Sequence, residues 1–474
     1  MGGNRRQYAI RRRTGFSPWT ERYTDDMRIA SITAGAAGMY CGSCMRDNTL
    51  AAALCELGHD ALLIPTYTPI RTDETNVSQQ RVFFGGINVY LEQKTGIFRH
   101  TPWWLDRLFN FPGLLRWVSK FAVSVRAEEL GDLTLSMLEG TNGKQRKEVE
   151  KFVRWFESDW RPDVILMTNV LLSGLVPELK RRVKAPIIAT LQGDDIYLEM
   201  LPPEVRKKAI EKIRENCRQV DGYIATCNYY ADFMSGYLGL PREKFHVVYP
   251  GIRITPLTPV PSPPEVSGQG RNEGERRQPH AGSRSADRPA IGYFARIAPE
   301  KGLHHLVDAF ILLRKSANAP DCRLRFSGWL GEHNKAYLNE NLKKLHDAGL
   351  ANHFEHVESP THEDKIRFLQ SVDILSVPAP YREPKGLYVL EALSQGVPVV
   401  QPRHGSFPEL IELTGGGLLH NPDDPADLAE NLRTLVADAT LRREFGRKGQ
   451  AAVRDRFNAE TMARNTLAVL QKYV

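Results

Sequence analysis

Met27-Arg28-Ile29-Ala30-Ser31-Ile32, running into Gly35-Ala36-Ala37-Gly38-Met39-Tyr40-Cys41-Gly42, is the stretch on which the fold class turns. A short apolar run bounded by a glycine-rich turn reads as a buried strand. Asn48 to Leu57 then has apolar residues at helical spacing and stops at Gly58, which suits the left-handed position that ends a helix. Ala61–Pro65 is the next strand-like run. Strand, glycine turn, helix and strand in that order begin a doubly wound α/β domain with a parallel sheet.

Outward from this start, apolar runs recur at Val164–Met167, Ile187–Leu191, Gly222–Thr226 and Phe245–Val248, with helical patterns between them. Residues 27–250 are therefore predicted to form one Rossmann-like domain. A second series begins at Ala290–Phe294. It continues through a helix from Gly302 to Lys315, a strand at Arg323–Ser327 and a helix at His362–Gln370. A strand at Ile374–Val377, a helix at Leu387–Gln395, a strand at Val397–Gln401 and a helix at Asp424–Asp438 follow. This predicts a second Rossmann-like domain over 291–457, facing the first across a cleft. The final helix, within 458–474 and spanning Ala459–Lys472, is expected to cross back to the first domain. Between the domains, 251–290 reads as a linker with a low-complexity insertion. Its Pro-Ser-Pro-Pro is followed by Gly, Gln, Arg, Glu and Ser, too little apolar surface to offset the entropy of ordering.

Composition narrows the function classes. The chain has 474 residues, 42% hydrophobic and 25% charged, as in ordinary globular proteins of two or three domains. No apolar run approaches the roughly 18 residues of a spanning helix. The formal net charge is +7, and residues 1–26, with six arginines against three acids, carry +3 of it. So modest an excess gives no concentrated basic face, and nucleic acid is not an expected partner. Residues 1–26 lack the apolar core of a secretory signal and read as a basic, disordered leader, with Met27 an alternative start. Six scattered cysteines are no disulfide framework, and a cytoplasmic setting is expected. Cys41 and Cys44 form one C-x-x-C with no second pair or suitably spaced histidine to complete a zinc site, so no metal is assigned. Their place at a helix start leaves a redox role open.

Three patches in the second half carry chemistry. Gly292-Tyr293-Phe294-Ala295-Arg296 with Pro299-Glu300-Lys301-Gly302 is a strand-to-helix turn bearing two cations, suited to a diphosphate. In Arg382-Glu383-Pro384-Lys385-Gly386-Leu387-Tyr388-Val389-Leu390-Glu391, proline and glycine suit the entry to a helix whose free N–H groups attract an anion. Eight helical positions separate Glu383 from Glu391 by about 12 Å, beyond the roughly 5 to 9.5 Å of a glycosidase carboxyl pair. Separate roles for the two glutamates fit better. In the third patch, Gly405-Ser406-Phe407-Pro408-Glu409 turns a strand into a helix, with Glu409 read as a capping acid.

These residues resemble a known family. Glu383 and Glu391, inside E-P-K-G-L-x-x-L-E-A-L-x-x-G-V-P-V-V, look like the E-x7-E signature of the retaining family-4 glycosyltransferases of group 1, which have the GT-B fold. Arg296 and Glu300-Lys301-Gly302 match that family's G-R-x-x-x-E-K-G segment, with Ala295 where glycine is usual. Gly415-Gly416-Gly417 and Asn421-Pro422-Asp423 resemble its C-terminal turn. The resemblance implies a nucleoside-diphosphate sugar as donor, bound by the second domain without a metal or other cofactor. It implies that Arg296 and Lys301 neutralise the diphosphate, that Glu383 binds sugar hydroxyls, and that Glu391 holds the ribose. Backbone N–H groups around Lys385, Gly386 and Leu387 would contact phosphate and sugar. Gly35 and Gly38 would admit the donor from the first domain. Ala189-Thr190-Leu191-Gln192 aligns with a family strand that ends in histidine; Gln192 can replace it for orientation but does not titrate near neutrality.

The expected function is therefore transfer of a sugar, with retention, to an acceptor that is a glycan, a lipid or a small molecule. A sugar-nucleotide epimerase of the same fold and a non-catalytic nucleotide-sugar-binding protein are the alternatives. Ile97 to Phe121 interleaves aromatic residues with cations. It reads as aromatic packing within the first domain, as the acceptor side, or as a peripheral contact with the inner face of a membrane.

Overall fold

The structure is a computed structural model that describes residues 26–35, 41–79, 127–254, 288–316 and 319–474. The leader up to residue 25, Gly38, the aromatic stretch 97–121 and most of the low-complexity segment lie outside the described residues.

Two six-stranded sheets organise the described residues, and every strand pairing in them is parallel. The first contains β1 (Arg28–Thr33), β2 (Asp60–Pro65), β3 (Val164–Met167), β4 (Ile187–Leu191), β5 (Gly222–Ala225) and β6 (Phe245–Val247), in the order 2-1-3-4-5-6. The second contains β7 (Ala290–Phe294), β8 (Arg323–Ser327), β9 (Phe354–His356), β10 (Ile374–Leu375), β11 (Val399–Pro402) and β12 (Gly417–His420), in the order 9-8-7-10-11-12. These are two Rossmann-like α/β domains. In each, the strand order reverses once, between β1 and β3 and between β7 and β10. Ligands of open parallel sheets bind in the crevice that such a reversal leaves at the carboxyl ends of the strands.

The strands read as continuous apolar runs because helices cover both faces of each sheet. Ile165 and Met167 of β3 pack on one side with Ala30, Ile32 and Phe152. Val164 and Leu166, pointing the other way, pack with Ile29, Leu50 and Leu54. That second face is completed from far along the chain. Met462, Leu467 and Leu470 of helix Ala459–Leu470 join the same cluster, and Tyr473 Oη lies 2.8 Å from His246 Nε2. The chain passes between the domains beside itself: Ile252 N donates to Phe457 O at 3.0 Å, and Ala459 N to Ile252 O at 2.9 Å.

Several elements differ from the sequence reading. Helix Gly42–Glu56 starts six residues before Asn48. Its first turns hold Arg46, Asp47 and Asn48, buried polar side chains that break the apolar period. β12 begins at Gly417, the last glycine of the segment read as a turn, where the bare Cα packs against Val399 O. Helix Ala439–Arg456 has so polar a sequence that no apolar stripe marks it.

Candidate active site

A cavity of about 1040 Å³ opens where the two strand-order reversals face one another. Thr33 at the end of β1 with Gly35 beyond it, and Thr168 and Asn169, after β3, form one wall. Arg296, after β7, and Tyr381 and Glu383, after β10, form the other.

The β7 exit is shaped by glycine. After Ala298 the chain makes one turn of 3-10 helix, Pro299–Lys301, and Gly302 takes φ +75° before helix Leu303–Lys315. A Cβ on Gly302 would stand 1.9 Å from Pro378 O, so only glycine lets this turn press against the β10 exit. That contact brings Lys301 to Glu383. Lys301 Nζ lies 2.8 Å from Glu383 Oε2 and also donates to Tyr381 Oη, which itself donates to Glu383 Oε2. The ammonium sits 4.8 Å from the Tyr381 ring centre and 5.4 Å from that of Tyr388, within cation–π range. Burial alone would raise the Glu383 carboxyl. The charges of Lys301 and Lys385, with hydrogen bonds from Lys301 and Tyr381, outweigh it and hold the group at about 2. Glu383 is thus an ionised acceptor in a buried site. Arg296 stays partly exposed, 3.0 Å from Glu300 and facing the cavity.

Beyond Glu383 the chain enters helix Leu387–Ser394 through Gly386, at φ +64°. Gly386 is not a wall residue: a Cβ there would meet Leu410 at 2.7 Å. Lys385 and Leu387, on either side of it, do line the cavity. Lys385 N donates to Glu383 Oε1 at 3.3 Å, and Ser406 N to Glu383 O at 2.8 Å, which fixes the loop. Glu391, one turn into the helix, pairs with Lys365 at 2.8 Å.

Across the cavity, Gln192 at the end of β4 is buried. Its amide nitrogen donates to Asp47 Oδ1 at 3.1 Å and Thr168 O at 3.0 Å, while its amide oxygen has no partner among the described residues. Asp47 also holds the buried Arg46 at 3.2 Å. Burial pushes the Asp47 carboxyl up to about 6, against the pull of Arg46 and of hydrogen bonds from Gln192 and Thr168.

The two walls also touch. Lys385 Nζ crosses to Ser43 Oγ at 3.1 Å and to Gln192 O. Lys365 Nζ reaches Asp73 of the first domain as well as Glu391, and Asp73 lies 3.3 Å from His362. Thr226 donates to Pro384 O at 2.6 Å. Glu409 accepts from Asn228 N at 3.1 Å and Tyr229 N at 3.3 Å, capping helix Asn228–Leu238 of the other domain. The sequence reading made Glu409 a cap, and the helix it caps lies across the cleft. Asp73 and Lys365 belong to no motif, and only the fold brings them to the site.

The model of the family Glycosyl transferases group 1 matches residues 275–452, and that of the Glycosyl transferase 4-like domain matches 48–251. The chain belongs to the group 1 glycosyltransferases. It carries the GT-B fold of that family. Spore coat protein SA of Bacillus subtilis is 23% identical over 63% of this chain and 75% of its own length. The GDP-mannose-dependent alpha-(1-6)-phosphatidylinositol monomannoside mannosyltransferase of Mycobacterium tuberculosis is 23% identical over 62% and 71%. Among solved structures, Anabaena HepE in complex with UDP and glucose superposes with a TM-score of 0.61 at 17% identity, over 94% of this chain and all of that one. At that identity the likeness is one of fold. Among the described residues of this glycosyltransferase, no helix is long and apolar enough to cross a membrane.

Proposed function

We propose that this glycosyltransferase transfers a sugar, with retention, from a nucleoside-diphosphate sugar to a hydroxyl of a glycan, lipid or small molecule, without a metal ion. The observation that carries the reading is the buried, ionised Glu383 between Lys301 and the helix start at Gly386, in a cavity at both strand-order reversals. Arg296 and Lys301 supply positive charge for the diphosphate, whose charge grows as the glycosidic bond breaks. The helix that begins at Leu387 adds N–H groups without intrahelical acceptors. Glu383, holding no proton, accepts hydrogen bonds from sugar hydroxyls and steadies positive charge developing on the ring. Glu391, a turn deeper and held by Lys365, is placed for the ribose. Gln192 offers its unpartnered amide oxygen to a sugar hydroxyl.

The test is a thermal-shift panel of UDP-, GDP- and ADP-sugars in the presence of a chelator, followed by the anomeric configuration of the transfer product. A ligand at 100 times its Kd stabilises the folded state by about 2.7 kcal/mol. One nucleotide is expected to stabilise the protein, and the product to keep the donor's configuration. An inverted product, or a requirement for metal, would overturn the respective part of the reading. Gln192 in the position of the family's histidine favours one alternative, a protein that binds a nucleotide sugar without transferring it. Donor binding with neither transfer nor hydrolysis would decide for that alternative.

A further inference from the structure

The donor reading leaves two nucleophilic side chains of the cavity wall without a task. Cys41 immediately precedes helix Gly42–Glu56, and its carbonyl accepts the Met45 N–H at 3.0 Å. Cys44 stands one turn on. Both line the cavity; Cys41 is partly exposed and Cys44 is buried. A Cys-x-x-Cys across the first turn of a helix brings its sulfurs within disulfide reach, and Cys41 and Cys44 flank the start of this helix on the same cavity wall. Among the described residues, no group of three or more His, Cys, Asp or Glu side chains is placed to hold a metal. The other four cysteines are Cys55, exposed at the far end of the same helix, and Cys217, Cys227 and Cys322, buried elsewhere.

The surroundings make Cys41 the attacking sulfur. The hydrogen bond from Cys44 holds the Cys41 thiol well below its ordinary range despite burial, with help from the charge of Lys385. The same hydrogen bond, with burial, pushes Cys44 far upward, as befits a resolving thiol. The turn they enclose is not inert: Ser43, between them, accepts from Lys385 Nζ at 3.1 Å across the cleft. Lys385 Cε lies 3.6 Å from where a Cβ on Gly42 would be, so the lysine rests on this turn.

We propose that Cys41 and Cys44 are a redox-active pair whose reversible disulfide, by re-forming the turn that carries Ser43, weakens the Lys385 contact and with it donor binding. With oxidised glutathione as oxidant, the Cys41 thiolate attacks one sulfur and expels a glutathione thiolate, leaving a mixed disulfide. That thiolate takes the Cys44 proton, and the Cys44 thiolate attacks the Cys41 sulfur, expelling the second glutathione thiolate, which takes a proton from solvent. The protein pair loses two electrons, and the glutathione disulfide gains them. The disulfide itself is independent of the donor reading; its effect on binding rests on that reading.

The experiment uses full-length protein equilibrated with oxidised and reduced glutathione, alkylated, and cleaved with trypsin, which places both cysteines in one peptide, Ile29–Arg46. The expected result is a peptide two hydrogens lighter and resistant to alkylation, restored by a dithiol reductant, while Cys55 is unaffected. Cys44→Ser is expected to stop at the mixed disulfide on Cys41. In the wild type, oxidation is expected to weaken binding of the stabilising nucleotide sugar roughly tenfold, the loss of a hydrogen bond to a charged group, while Cys44→Ser with its glutathione removed shows no such step. Both cysteines remaining alkylatable at full oxidation overturns the proposal, and so does a disulfide that leaves binding unchanged. A reduced protein that binds no nucleotide sugar counts against the donor reading instead, and the alkylation result stands by itself.

Discussion

Lys301 Nζ lies 2.8 Å from Glu383 Oε2, with both side chains nearly closed to solvent. Taking away one member leaves the other as an uncompensated buried charge, which typically costs about 3–5 kcal/mol. Lys301→Met and Glu383→Gln should therefore each lower the melting temperature, while the double variant recovers much of the loss. Transfer should follow a different rule and fall by about 10²–10³ in all three, as when a preorganised charge is removed. Calorimetry beside initial rates checks this; a double variant that recovers activity along with stability would make the pair structural.

The same carboxylate sets an acid limb. Glu383 is held at about 2 against an ordinary 4.5, so between those values the unfolded chain takes up a proton that the native chain does not. Its stabilisation is complete above pH 4.5 and is lost as the pH falls through that window toward 2. Asp73, held down against burial by His362 and Lys365, acts in the same direction. Melting temperatures between pH 3 and 5 should fall more steeply for the wild type than for Glu383→Gln. Parallel curves would contradict the low value.

Arg296 separates binding from stability. Its pair with Glu300 is exposed and is worth about 0–1 kcal/mol. Arg296→Ala should melt within a few degrees of the wild type, yet lose most of the upward shift produced by the nucleotide sugar. A full shift in the variant would remove Arg296 from the diphosphate site.

Glu409 holds the cleft shut from its rim, through the N-terminus of helix Asn228–Leu238. Glu409→Ala removes a cap worth about 1 kcal/mol and touches nothing inside the cavity. The radius of gyration from small-angle scattering should rise, and KM for the donor should increase severalfold with kcat less affected. Unchanged scattering would mean that the other crossings suffice.

How much of this the sequence disclosed depends on distance along the chain. Arg296 and Lys301 stand five residues apart, and Glu383 and Glu391 eight, so their spacing carried their chemistry. Asp73 and Lys365 are separated by almost the whole interdomain span, and nothing in helix His362–Gln370 distinguishes Lys365 from a surface lysine. Arg46 and Asp47 were hidden for another reason. They occupy the start of helix Gly42–Glu56, where polar residues face inward and the apolar period that marks a helix is absent. Tyr381 adjoins the motif and was passed over because a tyrosine two residues before a glutamate has no spacing signature of its own.

Helix Ala459–Leu470 supplies Met462, Leu467 and Leu470 to the sheet of the first domain, although the entire second domain precedes it in the chain. On the ribosome, β1 to β6 therefore emerge long before one face of their sheet can be covered. Ile29, Leu50 and Leu54 must wait, exposed or in the care of a chaperone, until the second domain has been translated. The amino-terminal domain is finished last.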